Sequence, residues 1–181
     1  MFKHLYKVSL FVFSITLIIS LCADAEQVKP GEYEVKAAFI YNFAKFIEWP
    51  DDSFLDKSSS ITMCVIGDDP FGRSIDSIHD KPVKEKKLKV KHIQSVKDIK
   101  GCHILFISGS EAKNLPQILK ITEGAGILTI GDTGGFAYSG VIINFYLEQN
   151  KVNFEINTKA AKRARLQISS KLLKLARIVG E

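Results

Sequence analysis

The run from Glu32 to Glu48, EYEVKAAFIYNFAKFIE, constrains this chain most, because it wraps apolar side chains around most of a helix. Val35, Ala38, Phe39, Phe43, Phe46 and Ile47 recur at helical spacing, and Ile40, Tyr41 and Ala44 widen the stripe. A helix this apolar must be covered on most sides. Trp49-Pro50 sets its end, since proline cannot continue the backbone hydrogen bonding and biases the preceding residue away from helix.

The following segments read as strands and helices in alternation. Ile61 to Ile66 is a buried strand leading through Gly67-Asp68-Asp69-Pro70-Phe71-Gly72 into a helix near Arg73 to Ile78. Lys87 to His92 alternates lysine with apolar residues, the pattern of a strand with one wet face. His103 to Ile107 is a second buried strand, followed by a helix from Glu111 to about Lys120 with Ser110 as its N-cap. Gly126 to Ile130 is a third, ending in the loop Gly131 to Gly135. Val141 to Leu147 and Lys151 to Asn157 form a hairpin, with Val152, Phe154 and Ile156 pointing one way and Asn153, Glu155 and Asn157 the other. Helices over Thr158 to Arg165 and Ser170 to Val179 close the chain. The fold class expected is α/β: a mixed, mostly parallel sheet with a C-terminal β-hairpin, flanked by helices on both faces.

Residues 1–25 read as a secretory signal: Lys3 and Lys7, an apolar run from Val8 to Leu21, then Ala23-Asp24-Ala25. Cleavage after Ala25 leaves residues 26–181 as one exported domain. Leu21 argues against lipid attachment at Cys22. The leader removes two lysines and Asp24, so the net charge falls from +5 to +4. Cys64 and Cys102 remain, and an exported domain with two cysteines most simply holds one disulfide, the alternative being two buried free thiols. With 46% hydrophobic and 25% charged residues, the composition excludes a disordered polyampholyte and a multi-span membrane protein.

No catalytic constellation emerges. The sequence has no Gly-x-Ser-x-Gly elbow, and His79, His92 and His103 lack paired ligand spacing, so no catalytic residue, metal or cofactor is assigned. Two glycine-bearing loops follow strands, where open α/β sheets bind ligands, which makes Asp68, Asp69, Phe71, Gly72, Asp132, Gly134 and Gly135 candidate ligand-loop residues; the plainer alternative is that they only turn and pack the chain. Residues 81–100 hold eight lysines, and residues 157–181 hold four lysines and three arginines against one acid. The aromatics lie in apolar runs instead of beside these charges, which argues against nucleic acid. Lys162, Arg163 and Arg165 are candidate partner-binding residues, the alternative being a solvated helix face.

Three segments carry a family resemblance: VKAAFIYNFAKFIEWP over 35–50; GDDPFG over 67–72 with CHILFIS over 102–108; and FEIN over 154–157 followed by SSKLL over 169–173. Together they resemble the YfiR/HmsC-like family of periplasmic regulatory proteins, over residues 35–179. The resemblance implies a regulator without catalysis that binds and represses the periplasmic domain of a membrane diguanylate cyclase, lowering cyclic di-GMP and biofilm formation. It also implies an outer-membrane lipoprotein able to sequester the regulator, and it maps the family's cysteine pair onto Cys64 and Cys102. A second copy of the chain is left open as a partner. The competing reading is a periplasmic small-molecule-binding or sensor domain without a cyclase partner.

Overall fold

A computed structural model describes residues 31–54 and 60–180 of the chain. The expected signal segment, residues 1–25, lies outside the described residues. The first helix, α1 (Glu32–Phe46), begins where the Glu34 carboxylate accepts the Gly31 N–H at 3.1 Å, and it stops at Phe46, ahead of Trp49-Pro50. Its end comes early because Ile47 turns extended and β1 (Ile47–Glu48) pairs antiparallel with β9 (Gln167–Ile168).

The principal sheet contains β2 (Ser60–Ile66), β3 (Pro82–Val83), β4 (Lys86–Ile93), β5 (Ile104–Ile107), β6 (Leu128–Gly131), β7 (Ile143–Glu148), β8 (Lys151–Asn157) and β10 (Arg177–Val179). Their spatial order is β10-β8-β7-β6-β5-β2-β4-β3. Strands β2, β4, β5, β6 and β7 run parallel; β8 opposes β7, and β10 runs parallel to β8. The β7–β8 turn falls at Gln149 and Asn150, at φ 50° and 59°, the left-handed pair that a two-residue hairpin with the right twist requires.

Side-chain alternation along the parallel strands feeds two cores. Met63, Val65, Ile104, Phe106, Leu128 and Ile130 face α1 and the 3-10 turn Gly72–Ile78. On the opposite face Cys64, Ile66, Leu105 and Ile107 pack under α2 (Leu115–Thr122), the turn Val96–Ile99 and α3 (Phe136–Ser139). This two-sided burial explains why β5 is apolar without alternation and why every residue of β6, Thr129 included, is buried. Under α1, the rings of Phe43 and Phe154 lie 4.8 Å apart and those of Phe39 and Phe154 5.5 Å apart.

Besides the early end of α1 and the 3-10 form of Gly72–Ile78, the strand expected from Val141 begins at Ile143, the helix expected to Arg165 ends at Arg163, and further details differ from the sequence reading. The helix expected from Glu111 begins at Leu115, after a 3-10 turn at Gly109–Glu111, because Pro116 is tolerated only in a helix's first turn. The last helix is short: α5 (Ser170–Leu173) gives way to β10, because β8 offers an open edge that Arg177–Val179 fills. The strand expected from Gly126 begins at Leu128. The face of β8 that carries Glu155 and Asn157, expected opposite to Val152, Phe154 and Ile156, is also buried at these two residues, which are 2% and 5% exposed: Arg177 neutralises Glu155, and Asn157 caps α4 (Thr158–Arg163) by accepting the Ala160 N–H at 2.8 Å.

Candidate functional site

The loops after β2, β5 and β6 emerge at one edge of the sheet. The chain leaves β2 for β4 on one side and returns to β5 on the other, so β2 and β5 flank the position where doubly wound sheets open a ligand crevice. Here that crevice is filled. Gly67 has φ +86°, and a Cβ on it would lie 2.4 Å from Ser110 Oγ and 2.8 Å from Glu111 Cγ. Ser110, expected as a helix N-cap, instead accepts the Asp68 N–H at 2.9 Å across the crevice.

The rest of that loop is spent on its own architecture. Asp69 accepts the Phe71 N–H at 2.9 Å, and its other oxygen lies 3.0 Å from His92 Nε2. Phe71 is buried edge-on against Tyr33 and Phe106, with centroids 5.4 Å and 4.7 Å away. Gly72 supplies the positive φ, +51°, that starts the following 3-10 turn. Asp68 stays exposed at the rim.

The loop after β6 bounds an open cleft of about 400 Å³. One wall is the first turn of α1, with Glu32, Tyr33 and Lys36; the other is the outer end of β7, from Phe145 to Leu147; Asp132 and Gly134 lie between them. Asp132 accepts the Lys36 ammonium at 2.8 Å and the Tyr33 hydroxyl at 3.0 Å. Lys36 is only 3% exposed and also pairs with Glu32 at 2.5 Å. Burial pulls the Lys36 ammonium down, but its bonds to Asp132 and Glu32 outweigh this and raise its pKa above the ordinary lysine value. Burial and the Asp132 carboxylate raise the Tyr33 phenol. Gly135, at φ +86°, is the turn into α3. Sequence reasoning located Asp132, Gly134 and Gly135 but missed Glu32, Tyr33 and Lys36. The available signal was a lysine embedded in an apolar helix face, a position that calls for a buried acid.

The two cysteines form a disulfide that joins β2 to the residue two before β5, with Cα atoms 5.9 Å apart and both side chains in the core opposite α1. Beside it, His103 accepts the Thr62 N–H at 3.0 Å and stacks on Phe54 at 4.5 Å. His79 accepts the Val90 N–H, so the three histidines serve three separate places. Among the described residues, no three His, Cys, Asp or Glu side chains gather in a way that could hold a metal ion.

The basic residues after β8 divide. Lys162 and Arg163 are in the last turn of α4, and Arg163 Nε is 3.9 Å from a Glu123 carboxylate oxygen at a groove of about 300 Å³ between α2 and α4. Arg165 turns inward on the chain: it donates to Gly124 O at 3.0 Å and grips both oxygens of Asp52 at 2.9 Å, and this hydrogen bonding holds the Asp52 pKa below the ordinary carboxylate value. The carboxyl-edge loops and the α4 residues therefore belong to different regions of the molecule.

The profile of the family described as YfiR/HmsC-like matches residues 33–177. No curated protein matches the sequence. A conserved domain protein from Vibrio cholerae is similar at 12% identity and TM-score 0.50, over 81% of this chain and 60% of that one. An ABC domain in complex with L-Trp from Streptococcus pneumonia (10% identity, TM-score 0.48) matches over 66% of this chain, and a substrate binding protein with adhesive properties from Clostridium difficile (12%, 0.48) over 68%. This chain spans about 55% of the length of each of those two.

Proposed function

The chain belongs to the YfiR/HmsC-like family, and from that membership we propose that it is an exported regulator acting by contact on the periplasmic domain of a membrane-bound diguanylate cyclase. In this reading it holds the cyclase inactive and lowers cyclic di-GMP and biofilm formation, and an outer-membrane lipoprotein withdraws it from the cyclase. The family match over residues 33–177, which runs from α1 into β10, is the observation that carries the proposal. The Cys64–Cys102 disulfide suits an oxidising compartment. No described helix is long and apolar enough to cross a membrane. Export requires removal of residues 1–25, and a periplasmic mass beginning at Glu26 tests that step; a species beginning at an acylated Cys22 would replace it with a lipoprotein.

Deletion of the gene, followed by complementation with the intact reading frame, tests the role. The expected result is a rise in cyclic di-GMP and surface attachment on deletion, with both reversed by complementation. An unchanged cyclic di-GMP level while a cyclase with a periplasmic domain is expressed would leave the sensor reading in front. That second reading is favoured by the cleft between Glu32, Tyr33, Asp132 and Leu147, an open space with charged and apolar walls.

A further inference from the structure

The positive charge of this protein gathers in two stretches, residues 81–100 and residues 157–181, and only in the first is it carried by lysine alone. Residues 81–100 carry eight lysines against Glu85 and Asp98, a local +6 that exceeds the +5 of the whole chain. Strand β4 sorts these charges: Leu88 and Val90 turn toward the α1 core, while Lys87, Lys89 and Lys91, all exposed, project from the opposite face in register with Ser60, Thr62 and Cys64. The return segment through Val96–Ile99 packs on that same face through Val96, Ile99 and Cys102, and it adds exposed Lys97 and Lys100. Five lysines thus share one side of the sheet near its β3–β4 margin. Asp98 interrupts them, and Asp80 pairs with Lys89.

We propose that this lysine face docks the protein onto the anionic headgroups of a phospholipid bilayer. Three observations select a lipid surface over an acidic protein. The charges are lysines, and residues 81–100 contain no arginine; lysine is a hydrated point charge suited to diffuse attraction, whereas arginine forks to individual carboxylates. The side chains of Lys87, Lys89 and Lys91 recur every second residue, so they form a row along one face of the strand, an arrangement that spreads charge instead of converging it on one group. Among the described residues the large exposed apolar side chains are Ile121, Tyr138, Leu147 and Leu175, and none belongs to residues 81–100, so these segments supply no exposed aromatic or aliphatic anchor of the kind that gives a protein interface its affinity. Polybasic surfaces hold to anionic leaflets by charge alone, and they release as salt rises. Such docking would keep the protein close to membrane-anchored partners, but it does not depend on which partner that is.

The test is co-sedimentation of the protein purified from the periplasm of an expressing strain. The probes are vesicles of pure phosphatidylcholine and vesicles containing about one-third phosphatidylglycerol. Binding to the anionic vesicles alone, abolished by raising salt, is expected. The triple substitution Lys87→Gln, Lys89→Gln, Lys91→Gln should weaken it roughly a hundredfold, while Lys162→Gln with Arg163→Gln leaves it unchanged. Thermal melting of each variant verifies that it folds. If the triple substitution unfolds the protein, Lys97→Gln with Lys100→Gln provides the same reading from the second segment. Equal binding to neutral vesicles, or anionic binding that survives these substitutions, would overturn the proposal. So would capture by polyglutamate without capture by anionic vesicles, which would assign the face to an acidic polypeptide. None of these outcomes bears on cyclic di-GMP in the deletion strain.

Discussion

Arg165 holds Asp52 through two parallel 2.9 Å hydrogen bonds across 113 residues of sequence. The grip ties the end of α4 to the turn after α1, and the left-handed backbone of Arg165, φ +60°, aims the side chain there. Of the three basic residues expected to meet a partner, Arg165 is therefore already occupied. Charge reversal at Lys162 and Arg163 should slow association with the partner in a salt-dependent manner and leave the melting temperature within about 2 °C of wild type, because exposed charges mainly set the association rate. Arg165→Glu should lower the melting temperature, and Asp52→Arg in the same chain should restore it. Kinetic binding traces at two salt concentrations, together with thermal melts, check both halves.

Reduction of the Cys64–Cys102 disulfide should cost about 4 kcal/mol in the chain-entropy description for a sequence separation of 38. Both sulfurs are buried, so the native protein should resist mild reductant and yield once partly unfolded. Cys64→Ala with Cys102→Ala should lower the denaturant midpoint correspondingly. Thiol alkylation of the native protein without reductant should label neither position.

Asp132→Ala should destabilise by about 3 kcal/mol, because it strands the buried Lys36 ammonium with Glu32 alone and leaves the Tyr33 hydroxyl unpaired. Adding Lys36→Met should recover part of the loss, since an apolar side chain of similar length suits that site. Urea unfolding of the single and double variants measures the coupling.

Stability should fall as pH drops below 6.5. Burial, with a contribution from Lys86, holds the His103 imidazole below its ordinary pKa, so below about 6.5 the unfolded chain takes up a proton that the folded protein refuses. The stability contribution is whole above that pH and is lost progressively toward the lower folded value. Asp52 and Asp80 act in a different window, because their pKa values are lowered from 3.8. Melts at pH 7.5 and 5.0 should differ by several degrees in wild type and by less in His103→Gln. The sole tryptophan, Trp49, donates to His103 O at 3.3 Å, so its fluorescence reports the same site.

The elements legible in the sequence are those whose own residues dictate them. Helix α1 apart from its last two residues, the unbroken run ILFI of β5 and the second hairpin strand, Lys151–Asn157, all stand where periodicity places them. What sequence could not show depends on residues far along the chain. Alternation in β8 put Glu155 on the face opposite Phe154 but could not show that this face is covered there, with Arg177, 22 residues later, bringing it a guanidinium on a neighbouring strand. Leu172, Leu173, Ala176 and Val179 are spaced for a helix, but the pairing offered by β8 outweighs that local preference after Leu173. At the cleft, Asp132 was visible from its glycine-rich loop, whereas Lys36 lies 96 positions earlier and gains its meaning only when α1 lies across the sheet.

The α1 aromatics find their partners at the far end of the chain. Phe43 stacks on Phe145 and meets Phe154 edge-on, and Ile178 of the final strand packs against the same core. A polypeptide threaded amino end first through a translocation pore would present α1 early, with nothing yet available to shield it. Contacts this distant in sequence form slowly, and the core closes only when nearly the last residue has passed. A fold completed this late would keep an exported chain slack during transport and leave α1, the longest described helix, open to holding chaperones until transport ended.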